Sequence, residues 1–80
     1  MSRYTVAQPI TGAEVAYGSD HALGYFVEVF VDGEDAPVIS ECSLFDGLTH
    51  GKFLERLEQL AVIHLVPSGH QRAISLDMRF

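Results

Sequence analysis

Four histidines, one cysteine and eleven carboxylates are the side chains of this 80-residue chain best suited to chemistry. His21, His50, His64 and His70 invite a metal site. No two of them stand three or four residues apart, the spacing that puts two ligands on one helical face. Asp20 and His21 are adjacent, and adjacent residues do not usually converge on one ion. His64 is therefore expected to pack partly beside a helix, with His50 and His70 wet near chain bends. Cys42 lies in Ser40-Glu41-Cys42-Ser43-Leu44. A neighbouring carboxylate disfavours the thiolate that a nucleophile needs, so Cys42 reads as a small hydrophobe at a strand end. Ser19-Asp20-His21 holds the residue types of a hydrolase triad, but each member of that relay must reach the next from a separate element. Asp20 is expected to bond nearby backbone N–H groups in a turn. Glu28 and Asp32 share a strand face and could serve as acid and base, yet nothing predicts a pocket there. The glycines form neither a phosphate loop nor a dinucleotide fingerprint. The expectation is a chain that is not an enzyme and carries no cofactor.

The carboxylates have a second use. Eleven acids against five bases give a net charge of −6. Between Arg3 and Lys52 there is no Lys or Arg, but eight acids. Six of these, Glu28, Asp32, Glu34, Asp35, Glu41 and Asp46, fall within nineteen residues and are the candidate partner-binding residues. Direct nucleic-acid binding needs cations that replace phosphate counterions, so it is disfavoured. Anionic membrane surfaces are disfavoured for the same reason. A basic protein surface is the favoured partner, because opposite potentials steer association. Spaced carboxylates beside aromatics can imitate a phosphate backbone. The competing reading is a solvated hairpin tip whose acids only maintain solubility.

The elements that must position these groups follow from periodicity. Length allows one domain, residues 1–80, which buries about 60–65% of its unfolded surface. No apolar run is long enough for a transmembrane helix, and Met1-Ser2-Arg3-Tyr4-Thr5 lacks the apolar core of a signal peptide. A soluble, cytosolic protein is expected. Leu23 to Val31 alternates as a strand, with Tyr25, Val27, Val29 and Val31 on one face and Phe26, Glu28, Phe30 and Asp32 on the other. Apolar groups on both faces make it central. Asp32-Gly33-Glu34-Asp35 predicts a hairpin turn, and 37–42 the return strand. Residues 13–17 predict an earlier strand, joined to the central one through 18–21, and 5–10 could extend the sheet. Residues 49–62 predict a helix, with Phe53, Leu57, Leu60, Ala61 and His64 on its buried stripe, Thr49 as N-cap and a Leu48–Phe53 staple. The tail alternates at Ile74, Leu76, Met78 and Phe80, which predicts a half-buried strand. A short helix from Pro67, with Pro at its first position, is the alternative. The fold class is α+β, a small antiparallel β-sheet with one main α-helix packed on one face.

Tyr17-Gly18-Ser19-Asp20-His21-Ala22-Leu23-Gly24-Tyr25-Phe26 resembles a Y-G-x-D-H-A-x-G-Y-F segment of small bacterial proteins, and Leu44-Phe45-Asp46-Gly47-Leu48-Thr49 fits the same picture. The resemblance spans roughly residues 15–65 and implies a bacterial or phage source, but no catalytic residues. By size, acidity and lack of catalytic motifs, the chain is also similar to the type I anti-CRISPR proteins. That likeness implies a cytoplasmic inhibitor, monomeric or weakly dimeric, docked on a basic DNA-binding surface of a CRISPR surveillance complex. Two alternatives stand beside it. One is a housekeeping interaction module using a sheet edge or a helix; the other is a small metal-binding enzyme using His21.

Overall fold

A computed structural model describes residues 2–31, 35–78 and 80. Four strands form one antiparallel sheet in chain order: β1 (Ser2–Ala7), β2 (Glu14–Asp20), β3 (Gly24–Phe30) and β4 (Ile39–Cys42). The register places Val15 opposite Val29 and Tyr17 opposite Val27. These four side chains are buried on the face that the helices cover. Cross-strand pairs of β-branched and aromatic residues are the stabilising unit of such a sheet. The opposite face carries Ala16, Phe26 and Glu28. The α+β class and the central position of β3 hold.

The turns differ from expectation. β2 continues through Gly18, Ser19 and Asp20, so only His21–Leu23 turn the chain. The Asp20 carboxylate accepts from the Ala22 and Leu23 amides at 2.7 and 3.1 Å, the turn bond its type favours. Between β3 and β4 the last rung of the ladder is Val29–Ile39, capped by Val38 N donating to Val29 O. The expected turn at Asp32-Gly33-Glu34-Asp35 falls mostly outside the described residues. Pro37 has no N–H for the ladder, and the return strand starts at Ile39 rather than at Pro37. Asp32, Gly33 and Glu34 lie outside the described residues.

Three helices follow: α1 (Ser43–Asp46), α2 (His50–Gln59) and α3 (Ser68–Ser75). In α2, Thr49 Oγ1 accepts from Lys52 N at 3.3 Å, and Phe53 and Leu57 point into the core beside Leu48. The helix stops earlier than the pattern suggests, because Ala61 takes a left-handed conformation, φ 58°. Its amide bonds Glu58 O while Val62 N bonds Leu57 O. That is a Schellman ending, with Val62 folding back over Leu57 as its apolar closure. His64 consequently leaves the buried stripe and lies exposed in a 3-10 turn, Ile63–Leu65. The tail is a correction: residues 68–75 are helical, not extended. Pro67 is the residue before the first turn rather than its first member. The Gln71 amide donates to Ile63 O and Val66 O at 2.8 and 2.9 Å, stitching α3 to the preceding turn. Ile74 is buried, whereas Leu76 and Met78 are exposed. A second Schellman ending at Asp77, φ 55°, turns the chain back.

Candidate functional site

Two grooves flank the His21–Leu23 turn and meet at Asp20. The turn is anchored from three sides. Leu44 N donates to Leu23 O at 3.1 Å. Ser43 Oγ accepts from Tyr25 N at 3.0 Å and donates to Leu48 O. Gly24 has φ 76°, and a Cβ there would stand 2.6 Å from Ser43 Cβ. Only glycine combines that conformation with that approach. Leu23, Gly24 and Tyr25 thus seat the turn against α1. The Asp20 carboxyl is held below its usual range, chiefly by its bonds from Ala22 N and Leu23 N.

The groove on the helix side has a volume of about 380 Å³ and is lined by Ser2, Ser19, Asp20, His21, Gly24, Tyr25, Ser43, Asp77, Met78 and Phe80. Tyr25 Oη donates to Asp77 Oδ1 at 2.5 Å. Burial, and then the neighbouring Asp77 carboxylate, push the Tyr25 phenol up to about 12. An unfolded tyrosine ionises near 10. Tyr25 therefore contributes stability that is whole below about pH 10 and lost as pH rises towards 12. Burial also raises the Tyr17 phenol, so phenolate absorbance is expected to show more than one late-titrating tyrosine, and Asp77→Asn is expected to lower the midpoint of Tyr25 alone. A midpoint unmoved by that change would remove Asp77 as a cause.

The groove on the open face has a volume of about 300 Å³ and is lined by Arg3, Asp20, Leu23, Phe26, Glu28, Ser40, Glu41, Cys42 and Phe45. Arg3 Nη1 donates to Glu28 Oε1 at 2.7 Å, and its guanidinium lies 5.8 Å from the centre of the Phe26 ring. α1 forms one wall. Its single turn is tied by Cys42 Sγ accepting from Phe45 N, by Asp46 Oδ2 accepting from Cys42 N at 2.9 Å, and by left-handed Gly47. None of its residues is buried: Leu44 is 62% and Phe45 77% exposed.

Among the described residues, the candidate acids Glu28, Asp35, Glu41 and Asp46 do not all share one rim. Asp35 is exposed; Asp32 and Glu34 lie outside the described residues. Glu28 opposes Ser40 and Glu41 opposes Val27, so Glu28 and Glu41 project to opposite faces of the sheet. Glu28 is held by Arg3. Glu41 is held by Arg56, whose Nε is 2.6 Å from Oε1 and whose Nη2 donates to Oε2 at 3.1 Å. Asp46 caps its own turn. Cys42 is buried at the end of β4, and its amide bond to Asp46 closes that end of the sheet edge to an added strand.

The histidines disperse. His21 and His64 are exposed. His70 is not wet: its Nδ1 lies 3.0 Å from Tyr17 Oη, and its ring packs 4.3 Å from Tyr4. Among the described residues no three His, Cys, Asp or Glu side chains stand close enough to hold a metal. No helix among them is long and apolar enough to cross a membrane. Leu44 and Phe45 were not among the expected functional residues. Their signal was an adjacent apolar pair between a strand end and a helix cap, where no single face can bury both. Compared with known proteins, the chain matches no family model, no curated protein and no solved structure.

Proposed function

We propose that this chain is an acidic, non-enzymatic binding protein that docks on a basic protein surface through α1 and the open-face groove beside it. The observation that carries this reading is Phe45, 77% exposed on a turn held by Cys42 Sγ, Asp46 Oδ2 and the Gly47 amide. With the backbone turn fixed before binding, only the Phe45 side-chain rotamer remains to be ordered on contact. Such residues, surrounded by polar groups, dominate interface energetics. Around it stand Asp20, Glu28 and Asp46, and the nearby Arg3 is neutralised by Glu28. The net charge of −6 steers the molecule towards a cationic partner. The sequence resemblance supplies the partner class: a CRISPR surveillance complex, with DNA kept from its basic surface. The acids support encounter, while the apolar pair supports retention.

The test is capture from a bacterial lysate that contains such a complex, at low and high salt, with the tagged parent and with Phe45→Ala. The parent is expected to retain a basic nucleic-acid-binding assembly at low salt and to release it as ionic strength rises. Phe45→Ala is expected to weaken binding by about 30-fold, the effect of losing an anchor worth about 2 kcal/mol. Equal capture by parent and variant would overturn the assignment to α1. Capture that ignores salt would overturn the role of the acids.

A further inference from the structure

We propose that the helix-side groove is a receptor for a guanidinium group, the tip of an arginine presented by the partner. This deepens the proposed function and rests on it for the source of the arginine, though not for the chemistry. The cavity, about 380 Å³, is of a size that takes a small organic group. Its wall includes Tyr25 and Phe80, whose rings are within 20° of parallel with centres 6.5 Å apart. Flat aromatic faces suit the planar, weakly hydrated guanidinium better than the compact ammonium of lysine. Two carboxylates reach the same space from opposite ends of the chain, Asp20 from the β2–β3 turn and Asp77 from the end of α3. Each has one oxygen bonded within the protein, Asp20 Oδ1 to two amides and Asp77 Oδ1 to the Tyr25 hydroxyl. Among the described residues nothing bonds their second oxygens, which suit charge-assisted bonds to a planar donor. Ser43 also lines the groove, and no Lys or Arg lines it among the described residues. A metal ion is the poorer fit, since the described residues bring no three ligands together.

The probe is N-acetyl-arginine amide, with its uncharged isostere N-acetyl-citrulline amide as comparison. Backbone amide shifts are followed by NMR in the whole chain. The arginine compound is expected to move Gly24, Tyr25 and the 77–78 amides saturably, and the citrulline compound to leave them in place. Two variants preserve the local structure while removing charge. Asn at position 20 still accepts the turn bonds, and Asn at position 77 tolerates the left-handed backbone. Asp20→Asn and Asp77→Asn are each expected to weaken the arginine response at least tenfold. Equal responses to both compounds, shifts spread over the acidic surface at large, or variants that bind like the parent would overturn the proposal. Loss of capture by Phe45→Ala with an intact arginine response would leave this receptor standing, so the two readings fail separately.

Discussion

Gly18→Ala is expected to strip β1 from the sheet. A Cβ on Gly18 would lie 2.0 Å from Ser2 O and 2.8 Å from Ser2 C, with Phe26 Cζ at 3.0 Å. The first two are backbone atoms and cannot swing away as a side-chain tip could. The strand must move as a unit, and its contacts go with it. Arg3 then leaves Glu28 and Phe26, and Tyr4 leaves His70. Overpacking costs about 1–3 kcal/mol even where side chains can adjust, and here the obstacle is rigid. A domain of this length has roughly 4–12 kcal/mol in total. Hydrogen exchange should show protection lost across β1 and β2 edge amides while β3 amides persist. Full protection of β1 in the variant would contradict the close approach. Gly51→Ala is the matching control, since a Cβ there meets nothing within 4 Å.

The second large effect compares one deletion at two phenylalanines. Phe53 is fully buried beneath the sheet, with its ring 5.2 Å from Tyr25 and 6.3 Å from Tyr17, both edge-on. Removing a buried Phe costs about 3–5 kcal/mol through lost transfer energy and the cavity left behind. Phe53→Ala is thus expected to lower Tm by at least about 12 °C, at roughly 4 °C or more per kcal/mol, and to leave a fraction of molecules unfolded at room temperature. Phe45→Ala removes the same atoms from an exposed site and is expected to stay within about 0.5 kcal/mol of the parent. Thermal melts of the two variants check both statements. A large loss of stability from Phe45→Ala would mean that α1 packs where it is described as open.

The elements that share one period were legible in the residues. Val27 and Val29 alternate, Phe53 and Leu57 stand one turn apart, and Thr49 marks the start of α2. What was not legible came from interactions across long stretches of chain. Alternation at Ile74, Leu76 and Met78 fits a strand, but only Ile74 is buried, and Gln71 ties that segment into a helix through carbonyls supplied by the preceding turn. The left-handed turn at Ala61 that releases His64 has no glycine to announce it. The placement of Glu28 and Glu41 in the acidic run was not legible for a different reason. Spacing along the chain groups these acids, whereas pleating sends Glu28 and Glu41 to opposite faces, and arginines twenty-five and fifteen residues away along the chain pair with them. The turn role of Asp20 was legible because Asp bonds backbone amides locally. The convergence of Asp20 with Tyr25 and Asp77 was not, because it needs the chain end to return to the second strand.

The strand order β1-β2-β3-β4 has a kinetic consequence. Every pair in the sheet joins neighbours along the chain, so each hairpin closes over a short loop, and short closures are fast. The sheet can zip from one end to the other without waiting for the remainder of the chain. The helix-side layer works differently: Tyr17 meets His70 and Tyr25 meets Asp77 across more than fifty residues. Those contacts close the largest loops and form last. During synthesis on a ribosome the four strands emerge before the last helix, and until it docks, the aromatic face around Tyr17 and Tyr25 stays uncovered. The arginine receptor lies on that late-closing seam, so it comes into being only when the chain is complete through α3.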